Sequence, residues 1–183
     1  GVWLSAKKIR KYVPCFDDLI LADIGCGFHA TFVRSLKNCY SKAYLVDLAL
    51  AGDLKADPKV LSYEGNVLDE LKKIPPNSVD VVMCISVIEH LWEPTATLAE
   101  LYRITKPSGI VLLNVPNWLG KIALETAAFK LGLSPKTEMD DHKMYYNKKD
   151  LWPLLIKAGF KPSLVKLEYH KLWLNTFAVC KKS

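Results

Sequence analysis

The chain has 183 residues, 50% of them hydrophobic, and carries a formal net charge of +6 with a pI near 9.0. This length and apolar content predict one domain, residues 1–183, with a buried core, and exclude a disordered chain. No apolar run approaches the roughly 18 residues of a membrane span, and the positive charge admits an anionic partner (nucleic acid, phosphorylated metabolite or lipid surface) or a plain solvated basic surface.

Strand-like and helix-like runs alternate along the chain. Lys7, Lys8, Arg10 and Lys11 form the one dense basic run before Leu19–Ile24, which reads as the first strand. Ala30–Lys37 reads as a helix, Lys42–Asp47 as a strand, Ala51–Ala56 as a weak short helix, Val60–Glu64 as a strand and Val67–Lys73 as a short helix. Val79–Ile85 is an almost continuous apolar run, as in a strand buried on both faces. Pro94 fits the first turn of a helix whose Leu98, Leu101, Tyr102 and Thr105 recur at helical spacing, with Lys106-Pro-Ser-Gly109 ending it. Ile110–Val115 is the fifth strand.

Asn117 is placed to cap a helix running to about Leu131, stopped by Gly132, and Leu133–Tyr146 reads as a polar loop. Pro153 argues for a later helix capped near Asp150 and closed by Gly159. Two closing strands, near Ser163–Tyr169 and Leu172–Val179, are joined so tightly around His170-Lys171 that they must pair antiparallel. The expected fold is therefore α/β: a Rossmann-like, seven-stranded, mostly parallel sheet with helices on both faces and an antiparallel C-terminal strand.

The five cysteines, Cys15, Cys26, Cys39, Cys84 and Cys180, show no C-x-x-C pairing. An odd count without metal spacing predicts reduced thiols and a cytoplasmic setting. No charged-then-apolar leader opens the chain, so a soluble, non-secreted protein is expected, and the early first strand leaves room for N-terminal elements outside this sequence.

The chemistry concentrates in Leu21-Ala-Asp-Ile-Gly-Cys-Gly-Phe28. A strand ending in an acid and two glycines lets bare backbone approach a ligand, and the second strand closes on Asp47. Two cofactor classes fit. Gly25-Cys-Gly-Phe-His-Ala30 with Asp47 formally matches a nicotinamide-dinucleotide fingerprint. Too little chain remains for a dehydrogenase's substrate region, however, and that fingerprint lacks an acid where Asp23 stands.

The second class rests on a resemblance. Asp23-Ile-Gly-Cys-Gly27 resembles the D-x-G-x-G motif of class I S-adenosylmethionine (SAM)-dependent methyltransferases. Further motifs follow in order: Asp47, Glu64-Gly-Asn-Val67, Asp80-Val-Val-Met-Cys-Ile-Ser-Val-Ile-Glu-His-Leu91, and Leu98-Ala-Glu-Leu-Tyr-Arg-Ile-Thr-Lys-Pro-Ser-Gly109. His142, Asp150-Leu151 and Ala158-Gly-Phe160 are similar to the family's later tail. The nearest subgroup is the small-molecule methyltransferases that include ubiquinone-pathway O-methyltransferases.

The resemblance implies a SAM-dependent methyltransferase that moves a methyl group to a small metabolite by in-line displacement. Its implied cofactor contacts are Asp23, Gly25, Cys26, Gly27, Asp47, Leu48, Asn66, Val67, Ile85 and Ser86. Gly25 and Gly27 would turn backbone N–H groups toward the methionine carboxylate, Asp23 would face the ammonium, Asp47 the ribose hydroxyls, Asn66 and Val67 the adenine, and the Ile85–Ser86 backbone the amine. His90 and His142 are the candidate bases, each alternatively a packing or loop histidine. Tyr145 and Tyr146 would shape the substrate mouth, Trp92 and Trp118 an aromatic wall, and 117–146 the substrate cover.

Four positions depart from the family. His29 stands at the usual third glycine, Asn66 at the usual adenine acid, and Ser108 at a turn glycine that a type I turn would spare. Ser86 replaces a glutamate that the ubiquinone-pathway relatives set beside Glu-His in a metal-like cluster, so that cluster looks incomplete and no metal is expected. Asn114-Val-Pro-Asn117 superficially resembles the N-P-P-Y motif of amino-methylating nucleic-acid enzymes, but it follows the fifth strand and not the fourth. A nucleic-acid methyltransferase and a non-catalytic SAM-binding protein remain the alternatives. Nucleic acid is the less expected partner, since no binding module is appended.

Overall fold

The computed structural model describes residues 2–13, 18–36, 38–123 and 142–183. Helix α1 is Val2–Arg10, a segment whose basic run hides a helical periodicity: Ser5 and Ile9, one turn apart, are buried. There follow β1 (Ile20–Ile24), α2 (Thr31–Ser35), β2 (Lys42–Asp47), α3 (Gly52–Lys55), β3 (Val60–Glu64), α4 (Val67–Lys73) and β4 (Val79–Ile85). Next are α5 (Pro94–Ile104), β5 (Thr105–Pro116), α6 (Lys148–Lys157), β6 (Val165–His170) and β7 (Asn175–Lys181).

All seven strands form one sheet in the order β3-β2-β1-β4-β5-β7-β6. Strands β1 to β5 run parallel, and β7 inserts antiparallel between β5 and β6. This is the expected Rossmann-like architecture. Parallel neighbours need crossovers, and the amphipathic crossovers must cover both faces. One core joins Leu19, Leu21, Leu45, Val81, Met83 and Leu112 to α1, α2 and α3; the other joins Ala22, Ile24, Val82, Cys84 and Leu113 to α4, α5 and α6. Covered on both sides, β4 is buried along nearly its whole length.

Several local expectations change. Strand β5 starts at Thr105, not Ile110, because Thr105 already pairs with Val79 and Lys106–Gly109 bulges out before Ile110 meets Val81. Within that bulge Ser108 has φ +66°, so the turn is not type I: Pro107 followed by a left-handed residue is the type II pattern. Asp80 anchors this end, accepting from the Ile20 amide at 2.9 Å and from Lys106 Nζ at 2.9 and 3.0 Å. Helix α2 is shorter than expected, since its preceding residue Ala30 is left-handed at φ +44°.

Helix α6 is capped at Asn147, not near Asp150: the Asn147 amide donates to Asp150 Oδ2 at 3.0 Å, so Asp150 supports the cap from the first turn. Pro153 is accommodated inside the helix. Strands β6 and β7 are shifted toward the C-terminus, since the link takes Lys171, Leu172 and Trp173 through positive φ before Leu174 closes it. Asn117 caps as expected, its Oδ1 accepting from the Gly120 amide at 2.9 Å. The helix it starts is described to residue 123; its expected continuation to Leu131, Gly132 and the loop up to residue 141 lie outside the described residues.

Cys39 is disulfide-bonded, which corrects the expectation of five reduced thiols, while Cys26, Cys84 and Cys180 are free and buried. Spacing along the chain does not reveal which cysteines the fold brings within bonding distance. Among the described residues no helix is long and apolar enough to cross a membrane.

Candidate cofactor and active site

The expected cofactor residues converge at the carboxyl ends of β1 to β4. Between β1 and β4 the strand order reverses, and such a switch point opens a crevice outside the sheet edge. Gly25 and Gly27 both sit at positive φ, +66° and +72°. A Cβ on Gly25 would lie 2.4 Å from a Val87 methyl, whereas one on Gly27 would meet nothing within 4 Å. Gly25 is thus needed by the packing, and Gly27 leaves open space beside the crevice.

The amides of this turn have partners within the chain. The Gly25 and Cys26 amides donate to the Val46 carbonyl at 2.8 and 3.3 Å, and the Gly27 amide donates to Asp47 Oδ2 at 2.6 Å. These N–H groups all point to β2 in this structure. Asp47 also accepts from the Leu48 amide through Oδ1 at 2.8 Å. Each carboxylate oxygen keeps a second lone pair, and the pair still matches a cis-diol. Leu48 itself is exposed at the rim.

Asp23 is 1% exposed, and its Oδ2 has no hydrogen-bond partner among the described residues. Burial, with the Asp47 charge added, pushes its carboxyl up to about 7. A bound cation is the group that would satisfy such an acid. Burial also pushes the Cys26 thiol up, so it is no reactive thiolate.

Asn66 begins α4, and its Oδ1 accepts from the Leu68 amide at 3.0 Å. The oxygen expected at the adenine is therefore partly committed to capping. Asn66 and Leu68 line one side of a cleft of about 410 Å³, with His90, Leu91, Trp92, Glu93 and Thr97 opposite. Val67 is half-buried beside it. At the end of β4, Ile85 is buried, while Ser86 is exposed at φ +60° and donates its amide to the Asn114 carbonyl at 2.7 Å. What remains to meet an ammonium there is carbonyl oxygen. His29 is exposed with its ring edge-on to Phe28, and its own φ is not left-handed; that strain falls on Ala30.

A second group gathers past β4. Ile88–His90 form a 3-10 turn that buries Glu89 and exposes His90. The Lys143 and Met144 amides both donate to the Glu89 carbonyl, at 2.6 and 3.3 Å, which brings His142 back over the turn. The His90 and His142 rings lie 4.7 Å apart, and His142 Nδ1 is 3.1 Å from the Tyr145 hydroxyl. One ligating atom each of Glu89, His90 and His142 falls within 4.8 Å of the others, a spacing that one cation can bridge. The cluster that looked incomplete without a glutamate at Ser86 thus finds a third member in His142, from a segment too distant for sequence spacing to reveal. Burial pushes the Glu89 carboxyl up to about 8, and the Lys171 ammonium acts against this. Lys171, from the β6–β7 link, was not among the sequence candidates.

The aromatic residues divide. Tyr146 belongs to the core, its carbonyl held by Thr176 Oγ1 at 2.7 Å. Tyr145 is buried between His142 and Trp118, whose ring is 5.7 Å away. Trp92 is 82% exposed with Lys143 Nζ 4.9 Å from its ring, so it edges the cleft.

Comparison with known proteins agrees with this geometry. Residues 22–113, half of the chain, match the family model described as a methyltransferase domain. A ubiquinone biosynthesis O-methyltransferase from Rickettsia bellii is 28% identical over 152 residues, covering 75% of this chain and 60% of that protein. A Mycolicibacterium smegmatis protein named as an S-adenosylmethionine-dependent methyltransferase is 35% identical over 147 residues, covering 79% of this chain and 52% of its own length. The chain thus spans 52–60% of these relatives. A SAM-dependent methyltransferase structure from Archaeoglobus fulgidus shares the fold, with a TM-score of 0.72 at 18% identity, covering 100% of this chain and 95% of that one. The turn at Gly25 and Gly27, the orphaned Asp23 carboxylate, the strand-end Asp47 and the matched domain agree, and the chain belongs to the class I SAM-dependent methyltransferases.

Proposed function

We propose that the chain transfers a methyl group from S-adenosylmethionine to a small metabolite by in-line displacement. The observation that carries this reading is the buried Asp23 carboxylate, unpartnered beside the turn where the Gly27 amide meets Asp47. When bound, the sulfonium supplies an activated methyl group. Asp23 accepts from the methionine ammonium, joined by the carbonyls of Ile85 and Ser86. Asp47 accepts from the ribose hydroxyls with its remaining lone pairs. Cys26 and Leu48 flank the ribose, and Asn66 and Val67 flank the adenine. The protein's main contribution is alignment and exclusion of water, worth up to about 7–11 kcal/mol in favourable cases.

Either His90 or its rival His142 takes the proton from the acceptor's nucleophilic atom, a role that adds about 10²–10⁴-fold where that atom is protonated. The net charge of +6 supports an acceptor that carries any anionic group away from its reacting end. Ubiquinone biosynthesis relatives support a small-molecule acceptor over nucleic acid. A second reading follows from the cluster of Glu89, His90 and His142: a divalent cation held there would lower the acceptor's pKa in place of a base.

The test is incubation of the protein with methyl-labelled SAM and a cell extract, followed by mass spectrometry of what gains the label. A labelled small metabolite is expected; tight SAM uptake with no labelled product would leave a sensor or scaffold. His90→Ala should keep SAM affinity and lose turnover. Turnover abolished by a chelator and restored by a divalent ion selects the cation reading.

A further inference from the structure

Six buried side-chain atoms have no hydrogen-bond partner among the described residues: Ser5 Oγ, Asp23 Oδ2, Glu89 Oε2, both amide atoms of Asn114 and His170 Nε2. Native folds tolerate few such atoms, because each forfeits its hydration without replacement. Asp23 and Glu89 belong to the groups already described. The other four atoms lie on the face of the sheet that α1 covers. On β5, Leu112 packs into the α1 core while Val111, Leu113 and Val115 pack into the other, so Asn114 shares the Leu112 face. Asn114 pairs in register with Ile85 on β4 and Phe177 on β7. The Phe177 ring is 5.7 Å from that of His170 and 5.4 Å from the Lys8 ammonium of α1, and Ser5 is buried one turn before Lys8.

Asn114 heads the Asn114-Val-Pro-Asn117 run that the methyl-transfer reading left without a role. Its carbonyl holds the Ser86 amide at the end of β4, next to the expected methionine end of the cofactor. We propose that the Asn114 side-chain amide binds the methyl acceptor and selects acceptors carrying a neutral donor and acceptor side by side, as in a primary amide or a lactam. This rests on the methyl-transfer reading. An asparagine amide sets one C=O beside one NH₂, and a partner that sets a donor beside an acceptor satisfies both through two antiparallel hydrogen bonds. A carboxylate would place an acceptor against Oδ1, and a hydrocarbon would leave both atoms unmatched. Ser5 and His170 add a hydroxyl and a ring nitrogen on the same face. Helix α1 meets the sheet there through Ile9 and the Lys8–Glu168 ion pair, and Tyr12, just past the helix, stacks on Phe177, so an entering acceptor would exchange side-chain contacts and break no strand pairing.

The probes are benzamide, benzoate and toluene at millimolar concentration, added to the full chain saturated with S-adenosylhomocysteine and followed by amide NMR. Saturable benzamide binding is expected in the wild type, at least tenfold weaker in Asn114→Val, with toluene binding retained. Without ligand, Asn114→Val should melt about 2–4 °C higher, since a methyl replaces an unmatched pair. Asn114→Ala guards against overpacking. A melting point lowered by more than about 4 °C in both variants makes the amide a structural group and overturns the proposal. So does a wild type that binds benzoate in preference to benzamide or binds no benzamide, or a valine variant that binds benzamide undiminished. Calorimetry with S-adenosylhomocysteine separates the two levels: no uptake overturns the methyl-transfer reading and this inference with it, whereas a failed benzamide result overturns the inference alone.

Discussion

At the scale of single residues, Asp23 shows how an acid can be held for a ligand. Its folded pKa is raised from 3.8 to about 7, chiefly by burial. A carboxyl raised in this way folds most easily when protonated. Its penalty is absent below about pH 3.8, grows as pH rises and is complete above about pH 7. Asp23→Asn should therefore melt higher than the wild type at pH 8 and level with it near pH 3.8, by circular dichroism. The same variant loses the ammonium's charged partner, so SAM affinity by calorimetry should fall about tenfold or more. A wild-type affinity that rises as pH passes through 7 would accompany it, because the cation favours the ionised form. Asp23 was legible in the sequence as a motif position; that its Oδ2 has no partner was not, because satisfaction depends on every neighbour in space.

Among elements, the connection from α5 to β5 is where pattern and structure diverge most. Lys106-Pro-Ser-Gly109 reads as a stop between helix and strand, yet the strand has begun and the four residues bulge from it. A pairing partner decides this, and Val79 is 26 residues away in the chain. The left-handed Ser108 in that bulge should be relieved by Ser108→Gly, raising stability by about 0.5–1 kcal/mol in urea titration. A decrease would mean that the Ser108 side chain does more than fill a turn. Helix α6 makes a similar point. Pro153 suggests a late start, but the Asn147 amide bonded to Asp150 starts the helix early enough to carry the proline inside it.

For the whole molecule, two cores sandwich one sheet, and α1 closes the core on the β7 side. Ile9 is its buried anchor, 1% exposed, so Ile9→Ala should cost about 2–5 kcal/mol in chemical denaturation. A loss under about 0.5 kcal/mol would show α1 to be loosely attached. The sequence by itself determined the alternation of strands and helices, the glycine turn after β1 and the acid after β2, because these depend on local periodicity and on conformations that neighbouring residues impose. Only the tertiary structure decided that the glycine amides turn to β2, that His142 joins Glu89 and His90, that Cys39 is disulfide-bonded, and that Asn114 is buried unmatched. Those outcomes depend on contacts between segments far apart in the chain, and hydrogen-bond satisfaction and burial exist only once the strands are side by side.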